Sequence, residues 1–450
     1  MAFQSSKLKK GLKLNRKDLF FMAMGQTIGA GIITNTGIAI GLSGSGVIIA
    51  YFLAFFVMYL GNLPSMLFQT VHPVASPQYV ATSYLNKKVA GFWLYCQIFA
   101  TLAQAYMGVA FGTYLASICG VNASVAACVI VTVFFFVNLF GLKDSARVQN
   151  VTTAILLLTL LSFVVLGLPR CDLSQMFRAE NLFYGGWSGI FDACALVLFG
   201  VGGCSLLGNF GPNMENPKKN IPLMTTVTFF TAFLAFGLIA FVGSGVAPIS
   251  EVAGQPMTYQ AKIIYPGNGY LIFVIGGALL AIITTINSNY ARYWSSIIRG
   301  VEEGWLPAVM GRRNKNGIPW VLLVLFWLLA LIPNLLGLNI GQLVSLASAV
   351  TLIPMLIPIW GFVVLPEHDP EGWKEAAWIS RVFAARSSRI ILCLICTVLI
   401  GFFVVRNIMN FSRFTAIFVV AYFAIALIVC FVFGDKMLAG RAAGEEATND

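Results

Sequence analysis

The chain has 450 residues, of which 58% are hydrophobic and 10% charged, and its formal net charge is +11. This apolar content excludes a water-soluble globular protein, because a soluble core stops growing at a few hundred residues, whereas a bilayer accommodates helices of about 20 apolar residues. The positive charge does not indicate nucleic-acid binding, since no folded basic module accompanies it and basic residues collect in the cytoplasmic loops of membrane proteins.

Twelve apolar runs with few charges follow one another along the chain. They are continuous and longer than barrel strands, which would alternate, so each is predicted to be a transmembrane helix. The runs cover residues 19–41, 46–69, 89–117, 123–142, 148–168, 186–210, 222–247, 269–298, 318–338, 341–365, 388–407 and 414–434. The first is too long for the apolar core of a signal peptide and is predicted to be retained. The expected fold class is an all-α integral membrane protein of about twelve helices.

Basic residues divide unevenly between the two sets of connections. With the N-terminus in the cytoplasm, 22 of the 28 lysines and arginines fall in cytoplasmic segments, five fall outside, and Arg292 lies near the inner end of run 8. Because such segments carry the excess of positive charge, this predicts a cell-membrane protein with both termini cytoplasmic. The predicted parts are a basic N-terminus (1–17), a ten-helix core (18–365), a cytoplasmic loop (366–387), two further helices (388–434) and a cytoplasmic tail (435–450).

Two of the runs contain clustered glycines. Run 1 has Gly25, Gly29 and Gly31 beside several threonines and Asn35, and run 6 has the pair Gly202-Gly203. Glycine lets a helix unwind or lets two helices pack closely, and both interpretations stay open for run 1. Breaks five runs apart are typical of an inverted repeat with a substrate site at the membrane midplane. Half-helix ends would there bind the carboxylate and the ammonium group of an amino acid.

With these breaks in place, the sequence resembles the amino acid–polyamine–organocation superfamily of permeases. The matching motifs are G-A-G-I at 29–32, F-G-V-G-G at 199–203, M-E-N-P-K-K-N-I-P at 214–222, G-W-L-P at 304–307 and G-I-P at 317–319. The resemblance covers residues 18–365 and keeps the spacing between motifs. It implies a LeuT-type fold, with inverted repeats of five helices at about 18–170 and 184–365 and two extra helices behind them.

The resemblance also implies the site residues. A substrate carboxylate would bind backbone N–H groups of Gly29, Ala30 and Gly31, and the ammonium group would meet carbonyls near Thr27, Ile28, Phe199 and Gly200. Phe199 would cover the substrate as an aromatic gate, and Gly202, Gly203 and Ser205 would complete the pocket. A valine at Gly31 is therefore expected to abolish binding while leaving the protein stable.

Four positions depart from the pattern of the family. Leu156 replaces a lysine of some proton-coupled members, Ser205 replaces an acid of arginine/agmatine antiporters, and Cys204 replaces a large aromatic residue. The pair Ser76-Pro77 stands where relatives have two glycines. The first two departures favour exchange over proton coupling and neutral substrates over cationic ones.

The remaining polar candidates have two interpretations each. Asp192, the one acid well inside a run, is either a coupling residue or the outer end of its helix. Arg292 is either a snorkelling or gate residue or a ligand of the substrate. Asn287 and its neighbours, like Gln104 and Tyr106, could bind an ion or hydrogen-bond two helices. Cys393 and Cys396 are expected to be packing residues. His72 and His368 are not arranged for metal binding, so no metal or cofactor is expected.

The expected function is a secondary transporter of amino acids, neutral ones favoured, or of related amines, working by alternating access and by exchange. A proton- or sodium-coupled symporter is the alternative. A membrane sensor that binds amino acids with little transport would share every site residue. A membrane enzyme would need a constellation of catalytic groups that the runs lack, and no filter repeat indicates a channel. The partners are the substrate and the bilayer, and the protein is a monomer or a homodimer.

Overall fold

The computed structural model describes residues 14–28, 30–74, 76–140, 146–335 and 340–438. Within these residues the regular structure is helical, with two isolated bridges, Leu14 to Met214 and Arg313 to Pro319, and no β-strand. The expected all-α class is confirmed in this described part of the chain.

The first half contains helices α1 (Arg16–Thr27), α2 (Ala30–Ser43), α3 (Val47–Val71), α4 (Pro77–Leu85), α5 (Lys87–Ala100), α6 (Ala103–Cys119), α7 (Ala123–Leu139), α8 (Ala146–Gly167), α9 (Leu173–Met176), α10 (Ala179–Leu182) and α11 (Gly186–Val201). The second half contains α12 (Pro217–Gly245), α13 (Ile249–Val252), α14 (Thr258–Ile264), α15 (Tyr270–Ile272), α16 (Leu280–Glu302), α17 (Trp320–Leu335), α18 (Ile340–Leu352), α19 (Gly361–His368), α20 (Pro370–Glu375), α21 (Ala377–Val382), α22 (Arg386–Met409) and α23 (Arg413–Val432). Short 3₁₀ helices cover Gly44–Gly46, Leu168–Arg170, Gly267–Gly269, Ala308–Gly311, Ile353–Met355 and Pro358–Trp360, and a long one covers Gly202–Asn213.

Eight helical stretches of the described chain are long and apolar enough to cross a bilayer, and three shorter apolar helices accompany them. Each of the twelve predicted runs overlaps one of these stretches, and Gly31–Val71 contains the end of the first run and all of the second. A multi-pass membrane protein is therefore confirmed. The count of twelve spans and the inverted repeat stay predictions.

The outer helices direct apolar side chains away from the protein. In α23, Phe414 is 80% exposed, Ile417 69% and Val420 67%. Each such side chain would lose about 1.5–3 kcal/mol of burial free energy in water. Hydrocarbon removes this cost, so the exposed apolar faces fit a surrounding bilayer.

The interior is built around α11, which packs against α2, α3, α18 and α22. Three fully buried tyrosines, Tyr51, Tyr106 and Tyr114, belong to this core. One irregularity was not predicted from the sequence: run 8 contains a π-helical stretch, Phe273–Leu279, before α16 begins.

Candidate functional site

The predicted discontinuity in run 1 is present. Helix α1 ends at Thr27, and Ile28 leaves the helical conformation with φ −80° and ψ 78° while its N–H still bonds the carbonyl of Met24 at 2.8 Å. Helix α2 begins at Ala30. The last carbonyls of a helix and the first N–H groups of the next have no partner within their helices, so acceptors and donors face the same gap. Gly29 itself lies outside the described residues.

The discontinuity in run 6 takes another form. Helix α11 ends at Val201, and the chain continues from Gly202 to Asn213 as a 3₁₀ helix of 12 residues. Runs of 3₁₀ helix longer than three or four residues are uncommon and mark hinges or strained segments. The glycine pair thus marks a change of helix type rather than a gap. Ser205 lies in this segment, and its side chain is outside the described part of the chain.

The two discontinuities meet in space. A Cβ atom built on Gly31 would clash with the Cα of Gly200, and one built on Gly200 would lie 3.1 Å from the Cα of Gly31. The first turn of α2 therefore crosses the last turn of α11 with backbone against backbone. The expectation that a valine at Gly31 leaves the protein stable is wrong in view of this contact, because the added side chain has no space.

An aromatic pair lies beside this crossing. The ring of Phe199 packs edge-on against Tyr106 of α6, with 5.4 Å between centroids. The Tyr106 hydroxyl donates to Asn35 Oδ1 at 2.6 Å, and the Asn35 amide donates to the carbonyl of Leu196 at 3.3 Å. Tyr106 thereby joins α6 to both glycine-bearing helices.

The sequence left Tyr106 open between ion binding and hydrogen bonding of two helices, and did not indicate its position beside Phe199. The available signal was an aromatic residue with a polar tip inside an apolar run. Such a residue needs a hydrogen-bond partner when it is buried, and Asn35 was a candidate. The sequence alone does not show that α2, which carries Asn35, and α6, which carries Tyr106, are neighbours.

Asp192 lies away from the crossing. It is eight residues before Gly200, or about 12 Å along a helix. Arg406 of α22 binds it with two contacts, Nε to Oδ1 at 2.7 Å and Nη2 to Oδ2 at 3.1 Å, and the same Nη2 also donates to the carbonyl of Ser188 at 3.1 Å. The acid therefore has a cation partner, Arg406, that lies more than 200 residues away in the sequence. Its coupling role stays a prediction.

The polar patch of α16 connects helices. Asn138 of α7 donates to Asn287 Oδ1 at 2.9 Å, Gln104 of α6 donates to the carbonyl of Ile286 at 3.0 Å, and Asn289 donates to Gln104 at 3.1 Å. These bonds favour the helix-packing interpretation of Asn287 over an ion site. The side chain of Arg292 lies outside the described residues, and its role stays a prediction.

Cysteine and histidine side chains occupy other places. Cys393 and Cys396 are buried in α22 as free thiols, and their S–H groups donate to the carbonyls of Ile359 and Leu60. His72 bonds Asp369 at 2.6 Å and Tyr84 at 3.0 Å. Across the residues that the structure covers, no three His, Cys, Asp or Glu side chains are grouped to hold a metal ion.

Comparison with known proteins agrees with this architecture. The family model described as amino acid permease matches residues 14–434. The chain is 22% identical to the branched-chain amino acid permease BcaP of Bacillus subtilis over 81% of this chain and 83% of that protein. It is also 22% identical to the aromatic amino acid transport protein AroP of Escherichia coli strain K12, over 69% of this chain and 71% of that protein. An uncharacterized amino acid permease of Bacillus subtilis, YvbW, is 24% identical over 78% and 80%.

Proposed function

Because the chain belongs to the amino acid permease family, we propose that it carries amino acids across the membrane by alternating access, with the substrate bound where α2 begins beside the end of α11. The contact between Gly31 and Gly200 carries this proposal, since it brings the two helix discontinuities to one place. Family relatives are transporters of amino acids and not enzymes.

The chemistry of an α-amino acid fits the two helix ends. The C-terminal carbonyls of α1, at Thr27 and Ile28, carry partial negative charge and would accept from the substrate ammonium group. The N–H groups of Ala30 and Gly31, in the first turn of α2, carry partial positive charge and would donate to the carboxylate. The N–H of Gly29, which precedes α2 in the sequence, is proposed to join them. Carbonyls of Phe199 and Gly200 would complete the ammonium site, the Phe199 ring would cover it, and Gly202, Gly203 and Ser205 would line the side-chain pocket.

We propose neutral amino acids as the preferred substrates. A cationic side chain at membrane depth needs an acidic partner. The acid on α11, Asp192, is already bound by Arg406. The two relatives with stated substrates carry branched-chain and aromatic amino acids, as their names say.

A competition assay in proteoliposomes tests both proposals. Uptake of labelled leucine should be inhibited by leucine, alanine or phenylalanine at lower concentrations than by arginine or agmatine. The opposite order would contradict the neutral site. Binding of leucine with no uptake at any internal composition would favour the sensor, which is the second candidate.

We propose exchange as the mode of coupling. Leu156, at the position of the coupling lysine in some relatives, is a buried apolar residue of α8 and cannot titrate. The hydroxyls of Thr284 and Thr285 donate to the carbonyl of Ala281. A hydroxyl oxygen that donates can still coordinate a cation, so sodium coupling stays the alternative. Substrate would speed reorientation by stabilising the occluded state more than the open states. Internal leucine should therefore stimulate uptake strongly, and a pH or sodium gradient alone should do little.

The proposed topology has twelve spans and two cytoplasmic termini. Ser250 and Asn316 are both exposed and lie in connections predicted on opposite sides. After the exposed Cys119 is changed to serine, cysteines introduced at these positions should react with an impermeant thiol reagent from outside at 250 and from inside at 316. Reaction of both from the same side would contradict the topology.

A further inference from the structure

A groove lies between the first turn of α12 and the short helix α21. We call it the basic groove and define it by Lys218, Lys219, Leu223, Trp378 and Arg381. Its other wall includes Glu375 and Ala377. The groove is separate from the proposed substrate site, which lies between α2 and α11.

The groove carries an excess of positive charge. Lys218 forms an ion pair with Glu375. Lys219 and Arg381 are exposed and form no ion pair within the described part of the chain. Three cations against one anion leave the groove two positive charges in excess. The N-terminal end of a 29-residue helix adds partial positive charge at the same place.

The groove continues into an apolar stripe. Along α12, Leu223, Val227, Phe230, Leu234 and Leu238 are 38–62% exposed. Their spacing of three or four residues places them on one face of the helix. Because this face is not covered by the protein, it fits contact with lipid hydrocarbon.

Trp378 lies where the charge and the stripe meet, and half of its surface is exposed. Tryptophan is enriched at the level of lipid headgroups, where its ring contacts hydrocarbon and its N–H contacts the polar layer. Val382, at the end of α21, is also exposed. The end of α12 and helix α21 therefore have the composition of a membrane interface.

From this combination we propose that the basic groove binds the headgroup of an anionic phospholipid, with the acyl chains lying along the exposed apolar stripe of α12. The phosphate would be held by Lys219 and Arg381, which have no acidic partner among the residues that the structure describes. The stripe selects a lipid over a soluble phosphate, because only a lipid covers it. The site would lie next to the Gly202–Asn213 helix, which leads into α12.

The test uses the full-length protein in a nonionic detergent and brominated phospholipids, which quench tryptophan fluorescence on contact. Brominated phosphatidylglycerol should quench in a saturable way, and a saturable component should be missing in Trp378→Phe. Brominated phosphatidylcholine should not produce this saturable component. In Lys219→Gln/Arg381→Gln, half-saturation should require about ten to thirty times more phosphatidylglycerol, since two basic contacts to an anionic surface are removed.

The matched control is Arg312→Gln/Lys315→Gln, which removes the same charge from two exposed residues outside the groove. It should change half-saturation by less than twofold. Arg381→Gln alone should raise the half-saturating concentration by an intermediate amount. This single variant replaces the double variant in the test if the double variant does not stay monodisperse. Equal losses in the groove and control variants, or unchanged saturable quenching in Trp378→Phe, would overturn the proposal. If millimolar glycerol 3-phosphate fully prevents quenching by the brominated lipid, the groove is a site for a soluble phosphate instead.

Discussion

Gly31 of α2 and Gly200 of α11 lie in backbone contact: a Cβ atom on Gly31 would clash with the Cα of Gly200, and one on Gly200 would lie only 3.1 Å from the Gly31 backbone. Residues far apart in sequence thus depend on each other at the point where two helices change conformation. Helix crossings in membranes owe their stability to such close packing of small residues, because lipid is as apolar as the side chains. The same contact holds the first turn of α2 beside the carbonyls of Phe199 and Gly200, where the substrate is proposed to bind.

This contact predicts that Gly31→Ala destabilises the protein. The added methyl group must push α2 from α11, and overpacking of this kind costs about 1–3 kcal/mol. The melting temperature of the purified protein should fall. Gly237→Ala is the control, since nothing lies within 4 Å of a Cβ at that position of α12, and it should be neutral or slightly stabilising. Equal melting temperatures for both variants would contradict the crossing.

Tyr106→Phe is predicted to keep the contact with Phe199 and lose the bond to Asn35. The buried Asn35 oxygen would then lack its donor, which costs about 1–3 kcal/mol. We expect a lower melting temperature and a higher KM for leucine. Asn35 lies on α2, the helix whose first turn is proposed to bind the substrate, so losing its bond would weaken the positioning of that turn. Tyr184→Phe, on an exposed tyrosine, should change neither measurement. Normal stability in Tyr106→Phe would show that the bond is not formed.

Asp192 and Arg406 are predicted to act as a structural pair. Asp192→Asn and Arg406→Gln should each lower stability, and the double variant should lose less than the sum, with a coupling energy of about 1 kcal/mol. Leucine exchange should persist in Asp192→Asn. If uptake driven by a pH gradient alone is present in the natural protein and disappears in Asp192→Asn, the acid is the coupling residue and the exchange proposal fails.

The surroundings of Asp369 predict that part of the protein's stability is lost in acid. Its burial alone would raise its pKa, but hydrogen bonds from the Gly372 N–H and from His72 together lower the pKa below the usual value. A group with a lowered pKa in the folded state stabilises the protein above its unfolded pKa, near 4, and this contribution is lost as the pH falls through the lowered value.

The measurement is the melting temperature between pH 3 and pH 7. Asp369→Asn should be less stable at pH 7 and should lose less stability on acidification than the natural protein. Glu371→Gln, which changes a neighbouring exposed carboxylate, should keep the natural slope. A parallel pH dependence for all three proteins would exclude Asp369 as the source.

The sequence by itself determined the class of protein, the apolar runs, the positions of the glycine clusters and the resemblance to the family. These follow from local properties. Apolar length decides whether a segment can cross a bilayer, and glycine lowers the cost of leaving a helix at the residue where it occurs. The family model spanning residues 14–434 confirms the resemblance that the motifs indicated.

Only the tertiary structure decided which residues meet. It placed Gly31 against Gly200, Tyr106 against Phe199 and Arg406 on Asp192. Each pair joins segments that lie far apart in the chain, and an apolar run looks the same whichever neighbour its faces contact. The physical reason is that the local sequence determines whether a segment is helical, but not which helix packs against it. The packing of the whole bundle determines the partner, and with it whether a polar residue is a packing residue, an ion-pair partner or part of the site.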